Sequence, residues 1–199
     1  NWNGTDTFTF KANDGDLDST AATITIAVTP VNDAPIGVDD NLSATEDTPL
    51  TFGKAALLAN DTDVDGPALS LAGFTQPDHG ALVDNGDGTL TYTPAGNYSG
   101  TDSFSYTLTD GSLTDTADVT IAVAPVNDAP TADDQNVSTG EDTPKAITLT
   151  GSDVEGSGLT FAIVDAPSHG VLSGTAPNVT YTPAANWNGT DTFTFKVND

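Results

Sequence analysis

The chain repeats itself, and this self-similarity constrains its fold more than any other feature. Residues 1–14 read NWNGTDTFTFKAND, residues 186–199 read NWNGTDTFTFKVND, and a looser copy, NYSGTDSFSYTLTD, occupies residues 97–110. The motif VNDAP begins at Val31 and again at Val126, a step of 126 − 31 = 95 residues. A fixed period of this kind indicates tandem structural units rather than one large domain.

The period divides the chain into three segments. We expect residues 1–33 to be the C-terminal strands of one repeat, residues 34–129 to be a complete repeat, and residues 130–199 to be an incomplete repeat without its last strand. Residues 19–29 are that last strand in the first segment. We therefore expect adjacent repeats of the same polypeptide to be the natural partners, or copies of the chain to complement one another head to tail, because uncovered apolar strands are unfavourable.

Alternation with a period of two predicts β-strands throughout the chain. Phe8 and Phe10 alternate with threonines, and Ile24, Ile26 and Val28 do the same in the next stretch. The middle repeat offers further candidates in PLTF, LSLAGF, GALV, TLTYT, SFSYTLT and ADVTIAVA, and no stretch has a convincing helical period. Six or seven short strands in about ninety-five residues predict an all-β fold of tandem immunoglobulin-like antiparallel β-sandwiches.

The composition excludes several classes of partner. Four lysines and no arginine face 29 acidic residues, for a formal net charge of −25. Nucleic acid is excluded as a partner, because phosphate recognition needs clustered cations. The chain has no cysteine, which excludes disulfides and thiolate metal sites. No apolar run approaches the roughly 18 residues of a membrane span.

The carboxylates concentrate in turns. In NDTDVDG, Asp61, Asp63 and Asp65 occur at every second position, and the third segment keeps Asp153 and Glu155. Alternate acidic residues in a turn can converge their oxygens on calcium, which takes six to eight oxygen ligands. Acidic turns without a metal are the alternative, since Asp and Asn are common turn formers. An EF-hand is rejected, because Ala72 occupies the position of the bidentate Glu.

The stretch FKANDGDLDSTAATITIAVTPVNDAP resembles the cadherin pattern, in which a strand ends in Ala-x-Asp, a Thr/Val/Ile strand follows, and an Asn-Asp linker precedes Pro. Over essentially its whole length the chain is similar to the bacterial cadherin-like, or VCBS, tandem repeats of large secreted adhesins of the RTX type. The resemblance implies calcium ions between successive domains, held by the lower end of one domain, the linker and the upper end of the next. Pro30 and Pro125 depart from the family, since cadherin linkers begin with Asp at that position.

The resemblance also implies which residues bind the metal. At the first junction these are Asp6, Asn32, Asp33, Asp63, Asp65 and Asp110. At the second junction they are Glu46, Asp102, Asn127, Asp128, Asp153, Glu155 and Asp199. Glu141 and Asp191 would face a further junction, and Asp61 remains a candidate ligand within its turn.

These features predict a structural role. We expect a calcium-rigidified extender, or stalk, in a large extracellular adhesin or surface filament. The alternative is that a repeat itself binds carbohydrate or a partner surface, as sandwich domains can. We do not expect an enzyme, because no nucleophile-and-base pair can be assembled from the sequence.

Overall fold

The computed structural model describes residues 1–66 and 68–199 and consists almost entirely of β-strands. The chain forms two compact units, Asn1–Pro125 and Val126–Asp199. The prediction of an all-β sandwich fold is confirmed. Of the residues that the structure describes, none belongs to a helix long and apolar enough to cross a membrane.

The first unit begins with a two-stranded antiparallel hairpin, β1 (Gly4–Phe10) and β2 (Ala22–Val28). Its register places Gly4 opposite Val28 and Phe8 opposite Ile24. The large apolar side chains of the hairpin are exposed; Phe8 is 53% and Ile26 is 45% accessible. The two strands therefore bury little of the apolar surface that their alternation provides.

The rest of the first unit is a sandwich of seven strands. They are β3 (Asp40–Thr45), β4 (Leu50–Gly53), β5 (Ser70–Phe74), β6 (Gly80–Asp84), β7 (Thr89–Pro94), β8 (Gly100–Thr109) and β9 (Thr114–Ala124). One sheet has the order β3-β9-β8-β5 and the other the order β4-β7-β6. Inward-facing residues of both sheets form one core, in which Leu90, Tyr92, Tyr106, Val119 and Ile121 are fully buried.

Two elements of this sandwich differ from expectation. All six quoted candidate strands of the middle repeat form, but β3, whose sequence is DNLSAT, was not among them. Its polar sequence becomes a strand because it pairs in parallel with β9. The second element is α1 (Lys54–Leu57), a single helical turn after β4 that buries Leu57 and is too short to show a helical period in the sequence.

The second unit contains seven shorter strands. They are β10 (Thr131–Ala132), β11 (Lys145–Thr148), β12 (Gly151–Ser152), β13 (Thr160–Asp165), β14 (Gly170–Thr175), β15 (Asn178–Pro183) and β16 (Thr194–Asn198). They form three sheets, β10-β12, β11-β15-β14 and β13-β16. The core is smaller, centred on Ile147, Leu149 and Val179. Residues 126–199, all of which the structure describes, include no counterpart of β9.

Candidate metal centre

The first linker, residues 30–35, is held by acidic side chains of the sandwich that follows it. The amide of Asn32 donates a hydrogen bond of 2.6 Å to Asp110, which follows β8. The backbone N–H of Asp33 donates to Asp65 over 2.7 Å, and the side chain of Asn1 donates to Asp33. The linker is therefore connected to two acidic segments that lie far from it in sequence.

The second linker, residues 125–130, repeats both connections within the second unit. The amide of Asn127 donates to the carboxylate of Asp199, and the backbone N–H of Asp128 donates to Glu155 over 3.2 Å. These pairs occupy the same repeat positions as Asn32 with Asp110 and Asp33 with Asp65. The fold thus brings linker and acidic residues together in the same way in both units.

The acidic turns, residues 61–65 and 153–155, present carboxylates toward these linkers. One oxygen of Asp63 accepts the N–H of Asp65 at 2.7 Å, and one oxygen of Asp153 accepts the N–H of Ser157 at 2.9 Å. The second oxygen, Oδ2, of Asp63 and of Asp153 is buried, and no hydrogen-bond donor reaches it from the residues that the structure describes. A buried carboxylate oxygen without a donor is unfavourable unless a cation compensates it.

The donor set at these places fits calcium. It consists of carboxylate and amide oxygens, which a hard cation prefers. Two of these oxygens, Oδ2 of Asp63 and Oδ2 of Asp153, are buried at equivalent positions and accept no hydrogen bond from the described residues. Across residues 1–66 and 68–199, however, no three histidine or acidic side chains already converge as a preformed metal site. The ligands would have to exchange some of their present N–H bonds for metal bonds.

Asp110 and Asp6 have different local roles. Backbone N–H groups of Leu113 and Ser112, together with the Asn32 amide, lower the pKa of Asp110, so that the carboxylate stays charged beside the linker. Asp6 is exposed and accepts the N–H of its neighbour Thr7 at 2.8 Å. Among the described residues, Asp6 has no hydrogen bond to the linker.

Asp61 points into the sandwich rather than toward the linker. It accepts the hydroxyl of Tyr106 at 3.0 Å and the N–H of Val38 at 2.8 Å. Burial, followed by the hydrogen bond to Asp61, raises the pKa of Tyr106, so that the phenol remains a donor. Burial also raises the pKa of Asp40, which shares the same hydroxyl. Asp61 therefore fixes the acidic turn to the interior of the sandwich through Tyr106 and Val38.

Two predicted ligands of the first unit are almost fully enclosed. Glu46 is 2% and Asp102 is 3% accessible. The carboxylate of Asp102 accepts the hydroxyl of Tyr92 at 2.8 Å and the backbone N–H groups of His79 and Ser103. This arrangement makes Asp102 a structural link between strands as well as a candidate ligand.

The equivalent residues of the second unit are more open. Glu141 is exposed, whereas Asp191 accepts the hydroxyl of Tyr181 at 3.0 Å and the N–H groups of Ser168 and His169. Burial alone would raise the pKa of Asp191, but the N–H donors and the phenol outweigh it and lower the pKa. The link between tyrosine, aspartate and the histidine turn thus occurs in both units.

Sequence reasoning missed the tyrosines of this link and the amide of Asn1. A signal for the tyrosines was available, because YTPAGNYSGTD and YTPAANWNGTD each place the aspartate ten residues after the tyrosine. The histidines also stack on the next aromatic side chain, His79 on Tyr98 at 4.1 Å and His169 on Trp187 at 4.6 Å between ring centroids. These contacts indicate a repeated structural module in the histidine turn.

Two families match successive parts of the chain. Residues 31–124 match the cadherin-like domain, and residues 127–199 match the bacterial Ig domain. Among curated proteins, the chain is similar to Protein GAMETE EXPRESSED 2 of Arabidopsis thaliana, with 42% identity over 76 residues. That match covers 38% of this chain and 8% of the plant protein, so the chain spans only a small fraction of this relative.

Solved structures support the fold. A human protocadherin-24 fragment, EC1-2, is similar with a TM-score of 0.51 and 16% identity, over 84% of this chain and 87% of that chain. An endo-fucoidan hydrolase from glycoside hydrolase family 107 is similar over 98% of this chain and 32% of its own, with 23% identity and a TM-score of 0.39. The first likeness shows a cadherin-type sandwich, and the second is too weak to carry an argument about function.

Proposed function

We propose that this chain, which belongs to the bacterial cadherin-like repeats, is a calcium-rigidified extender within a large extracellular adhesin or surface filament. It matches the cadherin-like domain at residues 31–124 and the bacterial Ig domain at residues 127–199. Such domains are typically non-enzymatic, and cadherin-like domains generally bind calcium. The extender would hold some other part of the protein at a distance from the surface.

The observation that carries the proposal is the buried Oδ2 atom found at both Asp63 and Asp153. Each belongs to an acidic turn that is hydrogen-bonded to a linker, through Asp65 and Asp33 in one unit and Glu155 and Asp128 in the other. The buried oxygen without a donor therefore occurs at the same repeat position in both units. A cation that binds both turn and linker accounts for the recurrence.

The charge of the chain supports the same proposal. With 29 acidic residues and four lysines, the protein cannot neutralise its carboxylates with its own cations. Carboxylates a few ångströms apart repel strongly at the low effective dielectric of a partly buried site. Calcium replaces that repulsion with bonds shared by linker and turn.

The proposed ligands at the first linker are Asp33, Asp63 and Asp65, with Asn32 and Asp110 beside them. At the second linker they are Asp128, Asp153 and Glu155, with Asn127 and Asp199 beside them. Of the remaining predicted ligands, Asp6, Glu46, Asp102, Glu141 and Asp191 would supply further oxygens, whereas Asp61 would hold its turn in place through Tyr106. Calcium would provide charge neutralisation and a rigid connection, and the side chains would provide position and selectivity for a hard cation.

Calcium titration of the purified chain tests the proposal. Extracellular calcium modules bind with Kd values of about 10⁻⁴ to 10⁻³ M. Binding to the folded state alone stabilises a protein by about 2.7 kcal/mol at a calcium concentration near 100 Kd. We therefore expect the midpoint of thermal unfolding to rise with millimolar calcium and to fall again when a chelator is added.

Matched variants locate the effect. Asp63→Asn and Asp153→Asn each remove one charge at a buried oxygen, and each should weaken calcium binding by about tenfold or more, because even residues that only support the ligands of a metal site contribute about 10–100-fold to its affinity. Asp87→Asn is the control, because Asp87 is exposed and, among the described residues, accepts hydrogen bonds from Thr89 at the start of β7 alone. A calcium response that is absent in the parent chain, or equal in all three variants, would contradict the proposal.

A further inference from the structure

The two units differ in how they protect the outer edge of one sheet. In the first unit β6 is the edge strand of the sheet β4-β7-β6, and in the second unit β14 is the edge strand of the sheet β11-β15-β14. The side-chain amide of Gln76 covers the edge of β6. Its Nε2 donates to the carbonyl oxygen of Leu82 over 2.8 Å, and its Oε1 accepts the N–H of Leu82 at 2.9 Å. One side chain thus takes the place that the peptide group of a further strand would have.

The edge of β14 does not have this cover. The stretches FTQPDHGAL and VDAPSHGVL align on their His-Gly pairs, so Ala166 stands at the position of Gln76 and Leu172 at that of Leu82. The N–H of Ala184 donates to the carbonyl oxygen of His169, and hydrogen-bonded pairs alternate with non-bonded pairs along an antiparallel ladder. The register therefore turns the N–H and C=O of Leu172 away from β15. Ala166, which is exposed, has no polar side-chain atom that could bond to them.

An apolar cavity lies beside this edge. It has a volume of about 390 Å³ and lies between β13 and β14, with Ile163, Leu172 and Val179 in its lining. Leu172 is only half-buried, whereas its counterpart Leu82 is 3% accessible. A strand added to β14 would direct every second side chain toward the cavity, because side chains alternate between the two faces of a strand.

The open edge follows from the side chain at position 166. The strands around it, β13, β14 and β15, have the counterparts β5, β6 and β7 in the first unit. All of these elements are therefore present in both units. Only the first unit carries an amide side chain where the edge needs one donor and one acceptor.

The charge around the edge also differs between the units. Residues 166–190 include no acidic residue and no lysine, although 29 of the 199 residues of the chain are acidic. The corresponding residues 76–100 include three aspartates, and one of them, Asp84 at the end of β6, is paired with Lys54 over 2.6 Å. Charged residues on an edge strand commonly prevent it from pairing with another chain. β14 does not have this protection either.

We propose that the edge of β14 binds an extended peptide segment of another protein, with apolar residues at alternate positions and no acidic residue. The segment pairs with Gly170, Leu172 and Gly174 as a fourth strand of the sheet. Its apolar side chains enter the cavity beside Ile163 and Val179. Strand addition draws affinity from main-chain hydrogen bonds and specificity from side-chain pockets.

The charge of the whole chain favours this occupant over a second copy of the chain. A net charge of −25 repels an identical molecule and attracts a neutral or basic segment. The uncharged surface of residues 166–190 lets apolar side chains approach without removing water from a carboxylate. The site goes beyond the extender function, because peptide binding at β14 needs no calcium.

Fluorescence anisotropy tests the binding. A labelled peptide, KTVTVTK, is titrated with the full chain in about 0.15 M sodium chloride, which screens surface charge. The control peptide KTPTPTK has the same charge, but its prolines prevent strand pairing. We expect saturable binding of the first peptide and binding of the second that is weaker by about tenfold or more, because main-chain hydrogen bonds are lost. No saturable binding of KTVTVTK, or equal binding of both peptides, would overturn the proposal.

Ala166→Gln locates the site, because it supplies the amide with which Gln76 covers β6. The amide should take the N–H and C=O of Leu172 and weaken the binding of KTVTVTK by about tenfold or more. Ala185→Gln is the matched control. Ala185 is exposed in the turn after β15, and this variant should bind the peptide as the parent chain does. Equal affinities of the two variants would show that the peptide does not bind at the edge of β14.

Amide hydrogen exchange, followed by NMR, tests the edge at single residues. In the free chain the N–H of Leu172 should exchange faster than the N–H of Leu82, and both Ala166→Gln and bound KTVTVTK should slow it. Exchange of Leu172 as slow as that of Leu82 would show that the edge is already covered. Protection of Leu172 that rises with protein concentration, without peptide, would show that a second copy occupies the edge. Either result would overturn the proposal.

Discussion

At the residue scale, Tyr92 shows how a buried carboxylate is kept inside a highly acidic protein. Its hydroxyl donates to Asp102 over 2.8 Å, and both side chains are almost inaccessible. Burial, and then the hydrogen bond to Asp102, raise the pKa of Tyr92, so the phenol remains protonated and able to donate. Tyr181 makes the same bond to Asp191 in the second unit. The phenol therefore supplies one of the hydrogen-bond donors that a buried carboxylate needs.

We predict that Tyr92→Phe lowers the free energy of unfolding by about 1–3 kcal/mol, the cost of leaving a buried acceptor with one donor fewer. The ring is retained, so packing changes little. Urea denaturation measures the effect. Tyr98→Phe is the matched control, because its hydroxyl donates to the backbone of Thr101 at a half-exposed position. Equal losses in the two variants would contradict a special role for the Asp102 contact.

At the element scale, the histidine turns hold one strand closely against its neighbour. Gly80 begins β6 opposite Pro94 of β7, and a Cβ atom at Gly80 would lie 2.5 Å from the ring of Tyr92 and 2.7 Å from the carbonyl oxygen of Thr93. Gly170 approaches Tyr181 and Thr182 in the same way at the start of β14. The backbone can pass this close to a tyrosine ring only where the residue has no side chain.

We predict that Gly80→Ala destabilises the first unit by about 1–3 kcal/mol, the usual cost of overpacking. For a domain of this size, each 1 kcal/mol corresponds to a fall of about 4–8 °C in Tm. Scanning calorimetry measures the fall. Gly73→Ala in β5 is the control, since nothing lies within 4 Å of its Cβ position. A control that loses as much stability would show that the turn is not specially crowded.

At the scale of the whole molecule, charge dominates. A net charge of −25 in 199 residues makes the carboxylates of the chain repel one another, and both a bound cation and simple screening by salt weaken that repulsion. The two mechanisms differ in kind, because screening acts equally on all carboxylates whereas the proposed calcium sites bind the linkers to particular turns. Stiffening of the linkers by calcium at a concentration too low to screen the carboxylates therefore distinguishes specific binding from screening.

We predict that small-angle X-ray scattering gives a narrower distribution of interatomic distances in about 1 to 10 mM calcium, the range above the Kd of extracellular modules. A chelator should broaden the distribution again. Sodium chloride at matched ionic strength is the control for screening. If sodium chloride produced the same narrowing as calcium, the linkers would not be rigidified by specific sites.

The sequence by itself determined the repeat period, the all-β class and most strands of the complete sandwich. These properties depend on local alternation and on self-similarity, which are visible in a single chain. The resemblance to cadherin repeats grouped Asn32, Asp33 and Asp65 at one junction, and the hydrogen bond from Asp33 to Asp65 agrees with that grouping. Their role as calcium ligands stays a prediction.

Only the tertiary structure decided the remaining features, because they depend on partners distant in sequence. β3 exists because β9 lies beside it, and the counterpart of β3 at residues 135–140 is not a strand where that partner is absent. Asp61 and Asp63 are two residues apart in one turn, yet the first binds Tyr106 in the interior and the second keeps a buried oxygen without a donor. Burial and pairing across the sandwich, which alternation does not encode, made this distinction.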